Sequence, residues 1–171
     1  LKQYFIYGVH TEISQFFKGL NSIGNFGNVI MDNKLLFKTI LGNEHPRLTK
    51  SVFMSLYEYN RSEEGSNKRE EADKTIYSFE VFLQDLEEDE VAGLCLEDLL
   101  AFITAADSVP PLGFEKLITI DFYDFDGNVR RRPFASTCGL YLFLPRGFEN
   151  PNDFSSFMKE ALLDCHGFGK G

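Results

Sequence analysis

The chain has 171 residues, 43% of them hydrophobic and 18 of them Phe, enough to bury a core as one domain or one and a half small ones. Its formal net charge of −9 argues against nucleic acid and against an anionic membrane surface as partners. Three cysteines are too few for a disulfide framework, and the odd count leaves at least one thiol unpaired, which points to a reducing compartment. No apolar run approaches the roughly 18 residues of a membrane span, and LKQYFIYGVH lacks the layout of a signal peptide. Because it begins at Leu1, the chain is expected to be a fragment of something longer.

The first third reads as helical. Ile13, Phe16, Phe17 and Leu20 recur at spacings of three and four and predict one buried helical face. Gly24 to Asn28 breaks the pattern, and a second helix is expected through Val29, Leu35, Leu36 and Ile40. A third is expected after His45-Pro46, with Val52, Phe53, Leu56 and Tyr57 turned inward. From Asn60 to Lys74 no large apolar residue occurs, which fits either a solvated hinge or the exposed start of a long helix. Ile76, Phe79, Phe82, Leu83 and Leu86 restore the helical period, and Glu87 to Glu90 closes it as a solvated turn. Leu96, Leu99, Leu100 and Ile103 form another stripe, with Glu97 and Asp98 where the helix dipole favours them.

After Pro110-Pro111 the period switches to that of strands. Leu117 to Tyr123 alternates, Asp126-Gly127 signals a tight turn, and Gly139 to Leu144 is a second strand with both faces covered. A last helix is capped by Asn150, opened by Pro151 and striped by Phe154, Phe157, Met158, Ala161, Leu162 and Cys165. The expected class is α+β: a helical segment, a hinge, and a compact α/β lobe with a small sheet flanked by helices.

Several chemistries find no footing. Asp124-Phe125-Asp126-Gly127 has a superficial likeness to a calcium loop, but Phe122 and Pro133 stand where ligands are needed. The glycines do not follow a phosphate-loop spacing, the cysteines and histidines follow no zinc spacing, and there is no GxSxG elbow. No metal or cofactor is therefore expected. Among the cysteines, Cys95 sits between two leucines and Cys165 ends a helical stripe, so both read as small buried hydrophobes. Cys138 differs: it follows Ala135, Ser136 and Thr137, opens a strand, and lies just after the basic run Arg130, Arg131 and Arg132. A nearby positive charge raises the thiolate fraction of a thiol. On these grounds alone a reactive and a structural Cys138 are evenly matched.

ITAADSVPPLGF (Ile103 to Phe114), PFASTCGLYLFLP (Pro133 to Pro145) and HGFGKG (His166 to Gly171) resemble, in order and spacing, the C-terminal lobe of HECT-type ubiquitin ligases. The shared elements are Val109, Pro110, Gly113 and Phe114, then Thr137, Cys138, Leu144 and Pro145, then Gly167, Phe168 and Gly169. FFKGLNSIG (Phe16 to Gly24) resembles a helix late in the N-terminal lobe of that family, and EGSNKREEADKTIYSF (Glu64 to Phe79) resembles a subgroup of G-two/M-phase-specific ligases. The resemblance implies the end of an N-terminal lobe at 1–60, a hinge at 61–74 and a complete C-terminal lobe at 75–171.

It implies a transferase in which Cys138 accepts ubiquitin from a conjugating enzyme as a thioester and hands it to a substrate lysine. Thr137 would orient the reacting groups, and Phe168 would help from the C-terminal tail. The implied partners are ubiquitin, a conjugating enzyme and a protein substrate, in the cytoplasm or nucleus. Two departures stand out. The family commonly has His where Ser136 stands and Asn or Phe where Gly139 stands, which leaves the base for the incoming lysine unassigned. A competing expectation is a degenerate lobe that only binds ubiquitin or another protein; a third is an unrelated domain with a redox-sensitive thiol.

Overall fold

Among the described residues of the first unit, Leu1–His45, Asn and Gly separate three short helices: α1 (His10–Ser22), α2 (Phe26–Asp32) and α3 (Lys34–Leu41). The computed structural model describes residues 8–42, 47–91, 93–125 and 131–166. The single second helix expected from periodicity is two helices. At Asn33 the side-chain amide donates to the Val29 carbonyl at 2.9 Å, competing with the helical ladder, and the backbone leaves the helical region. Gly27 is buried where α2 meets α1; a Cβ there would lie 2.8 Å from Asn21 Oδ1 and 3.1 Å from Phe17 Cε2. The expected apolar face of α1 is not enclosed within this unit, since Phe17 and Leu20 are half-buried while Ile13 and Phe16 stay exposed. Three short helices have too little interior to cover it.

The second unit, Pro46–Gly171, holds α4 (Lys50–Met54), β1 (Tyr57–Tyr59), α5 (Asn67–Glu87), α6 (Leu96–Thr104), β2 (Ile118–Tyr123), β3 (Phe134–Ser136), β4 (Tyr141–Pro145) and α7 (Pro151–His166). The expected third helix is only α4. It stops at Met54, and Tyr57 pairs with Ile118 as part of β1, because sheet pairing overrides the helical spacing of Val52, Phe53 and Tyr57. Within the polar stretch the helical alternative holds from Asn67 onward: the Ser66 hydroxyl accepts from Arg69 N at 3.3 Å, and Ala72 is already buried. His45-Pro46 and Asp126-Gly127 lie outside the described residues.

Among the described residues, seven helices and a four-stranded mixed sheet give the α+β class. The strand order is β1-β2-β4-β3, with β1, β2 and β4 parallel and β3 antiparallel on the edge. Ile118, Ile120 and Phe122 of β2 and Leu142 and Leu144 of β4 point into the core, where α5 packs on α7 and on β4. The helical stripes predicted for α5 and α6 are buried as expected, as are Phe154, Met158, Ala161 and Leu162 of α7. The opposite sheet face is half-buried rather than fully covered: Tyr141 and Phe143 lie there beside Phe134. Asn150 caps α7 through its side-chain oxygen, which accepts from Asn152 N at 3.0 Å. Two buried hydroxyls of α5 fix the loop after β4. Thr75 donates to the Pro145 carbonyl and Ser78 to that of Phe148, each at 2.9 Å.

Candidate active site

The chain leaves β3 at Ser136, turns through residues 137–140 and returns as β4 at Tyr141, directly opposite Ser136. This loop is why the second expected strand starts two residues later than its apolar run. Gly139 N donates to the Ser136 carbonyl at 3.1 Å, and Leu140 N to that of Thr137 at 3.4 Å. Leu140 adopts a left-handed backbone, φ 54°, which costs a non-glycine residue about 1–2 kcal/mol. Two contacts hold it there: its side chain packs against the core, and its carbonyl accepts from Thr119 N of β2 at 2.9 Å. The turn is thus anchored to β2, β3 and β4 together, and Cys138 stands exposed on it. Thr137 and Ser136 are exposed beside it.

The basic run is directed elsewhere. The Arg131 guanidinium lies 3.9 Å from the centre of the Phe134 ring, and Arg132 pairs with Glu160 at 3.2 Å and with Asp164, both on α7. Arg130 lies outside the described residues. The described arginines therefore cover a ring of β3 and tie the chain just before it to α7, a structural use that the sequence did not disclose.

Cys95 is half-buried at the start of α6, and its thiol donates to Asp98 Oδ2 at 3.1 Å while its backbone N–H donates to the same oxygen at 2.9 Å. Burial, with the Asp98 carboxylate alongside, pushes this thiol up from 9.0 to about 11. Cys95 is an N-terminal helix partner rather than a purely apolar filler. The side chain of Cys165 lies outside the described set, as does Phe168 with the rest of the tail. The structure brings Thr137 and Cys138 together and does not reach Phe168. Sequence reasoning passed over Leu140, Tyr141 and Lys116, which support the turn; no spacing rule marks a left-handed leucine or a ring lying beneath a glycine.

Of the three matching segments, the first is also in place. Gly113, φ 75°, closes a turn by donating to the Pro110 carbonyl at 2.8 Å, and Val109 and Phe114 pack against the core. A family model described as HECT-domain (ubiquitin-transferase) matches residues 1–170. The chain belongs to the HECT family. No curated protein matches it at the significance required. HECT domains are ubiquitin-protein transferases that work with ubiquitin and conjugating enzymes, so the kind of reaction and the kind of partner follow from membership. An exposed cysteine on a braced surface turn suits a HECT domain, whose reactants are other proteins and not small molecules that need a closed pocket.

Proposed function

We propose that the chain accepts ubiquitin on Cys138 as a thioester and passes it to a lysine of a protein substrate. The observation that carries this reading is the exposed Cys138 thiol on a turn pinned by three strands, in a member of a ubiquitin-transferase family. In the first step the Cys138 thiolate attacks the carbonyl carbon that joins ubiquitin's last glycine to the cysteine of the conjugating enzyme. A new carbon–sulfur bond forms at Cys138, the old one breaks, and the enzyme's thiolate leaves. In the second step the substrate amine attacks the same carbonyl carbon, the amide forms, the Cys138 thiolate departs and the amine gives up a proton. Two exchanges replace one difficult transfer.

Thioester exchange is close to balanced in energy, so placing the thiol counts for more than activating it. A rigid turn answers that need. The Thr137 hydroxyl, exposed next to the thiol, is proposed to donate to the oxyanion that develops in each step. Phe168 is proposed to act from the tail during transfer to lysine. Ser136 in place of the more usual histidine leaves deprotonation of the lysine to a group outside the turn. Pro46–Gly171 is proposed as the cysteine-bearing lobe, with the lobe boundary at the division between the two units rather than at 61–74, where α5 begins. The Glu64 to Phe79 sequence supports placing the chain with the G-two/M-phase-specific ligases, working in the cytoplasm or nucleus.

The test is incubation of the full-length protein with a conjugating enzyme already carrying ubiquitin. The expected product is an adduct that a reducing thiol removes and that Cys138→Ala abolishes. An adduct that survives Cys138→Ala would sink the proposal. Tight ubiquitin binding without any adduct would instead establish the degenerate, binding-only lobe.

A further inference from the structure

Gly139 and Tyr141 compete for one space. A Cβ at residue 139 would lie 2.9 Å from Tyr141 Cδ2, 3.4 Å from its Cε2 and 3.3 Å from Ser136 Oγ, so a side chain there must displace the Tyr141 ring. That ring is held. It lies nearly parallel to Phe143, centroids 5.8 Å apart and planes 16° apart, and Phe143 stacks on Phe134 at 4.6 Å and 11°. The Lys116 ammonium stands 5.1 Å from its centre, a cation–π contact, and the Tyr141 backbone is in register with Ser136 across the hairpin. The ring stack therefore runs from the edge strand to the glycine next to Cys138.

We propose that Tyr141 is the positioning residue of the Cys138 turn. Its ring fills the space that a side chain at residue 139 would need, so glycine at 139 and tyrosine at 141 fit together. The glycine is then one half of a matched pair that shapes the turn. This deepens the proposed function and rests on Cys138 being the ubiquitin-bearing thiol.

Four variants of the full-length protein test it: Tyr141→Ala, Tyr141→Phe, Gly139→Phe, and Gly139→Phe combined with Tyr141→Ala. Tyr141→Ala and Gly139→Phe should each slow ubiquitin loading about tenfold or more, the scale on which misplacing a reacting group acts. Tyr141→Phe should restore loading relative to Tyr141→Ala, and the double variant should recover most of what each single one loses. Double-variant losses that multiply, or loading by Tyr141→Ala at the parent rate, would overturn the pairing. A second readout needs no ubiquitin: hydrogen exchange at the amides of Thr119, Gly139 and Leu140, which should quicken in both single variants and slow again in the double. If the parent itself takes no ubiquitin, the thioester reading fails while exchange still decides the pairing; unchanged exchange in the single variants, or additive change in the double, refutes it.

Discussion

At the scale of single residues, the chain separates two thiols by their surroundings. Cys138 is exposed on a turn; Cys95 is half-buried, donates to Asp98 and is pushed up to about 11. Because the thiolate is the reacting species, a raised value means that Cys95 stays protonated at neutral pH and ionises only as the pH climbs from 9 toward 11. Alkylation of the folded protein at pH 8, followed by peptide mass spectrometry, should modify Cys138 at least about tenfold faster than Cys95, with Cys95 catching up at high pH. Equal rates at pH 8 would contradict this. The sequence set Cys138 apart from the other two cysteines and offered the arginines as a reason for a reactive thiol, with a structural one evenly matched. Only the fold reveals that Arg131 lies on Phe134 and that Arg132 is engaged with Glu160 and Asp164, and the ion pairs, which join α7 to a distant part of the chain, leave no local pattern.

At the scale of elements, helices with a long apolar stripe were legible and short pieces were not. The stripes of α5 and α6, and Phe154, Met158, Ala161 and Leu162 of α7, fall on buried positions because each helix has enough turns for the 3.6-residue period to stand out. β1 and β3 have three residues each and exist by pairing with β2 and β4, so nothing in Tyr57–Tyr59 or Phe134–Ser136 alone announces them. The sequence stripe of α7 also locates an aromatic cluster of the core. Phe154 is fully buried, and its ring lies 5.6 Å from that of Phe148, 6.2 Å from Phe82 and 6.3 Å from Phe79, in edge-on arrangements. Phe154→Ala should destabilise the protein by about 3–5 kcal/mol, seen as a lower denaturant midpoint. Phe157→Ala, on a half-buried ring at the margin of the same cluster, should cost clearly less.

At the scale of the molecule, the start of the second unit is fastened to its own helices. Leu48 N donates to Glu97 Oε1 at 2.6 Å, Lys50 N to Glu87 Oε1 at 2.9 Å, Lys50 Nζ to Gln84 Oε1 at 3.2 Å, and Arg47 pairs with Asp89. The acidic run that reads as a solvated turn thus also holds the chain where this unit begins. Removing the partner of a part-buried amide costs about 1–3 kcal/mol. Glu97→Ala should therefore speed hydrogen exchange at Leu48 by roughly ten- to a hundredfold, with β2 and β4 unchanged. Any swing of this unit during ubiquitin transfer would then carry Arg47–Lys50 with it. Composition left a hinge and a helix start open over Asn60 to Lys74 and showed none of these long-range ties, which belong to the compact unit that begins at Pro46.

The most direct measurement is the intact mass of the full-length protein after exposure to ubiquitin-charged conjugating enzyme, compared with its Cys138→Ser variant. The parent should gain one ubiquitin that a reducing thiol removes. Cys138→Ser should gain one more slowly, as an oxygen ester that resists the thiol and yields to mild base. A thiol-sensitive adduct on Cys138→Ser, or none on the parent, would contradict a transfer that runs through Cys138.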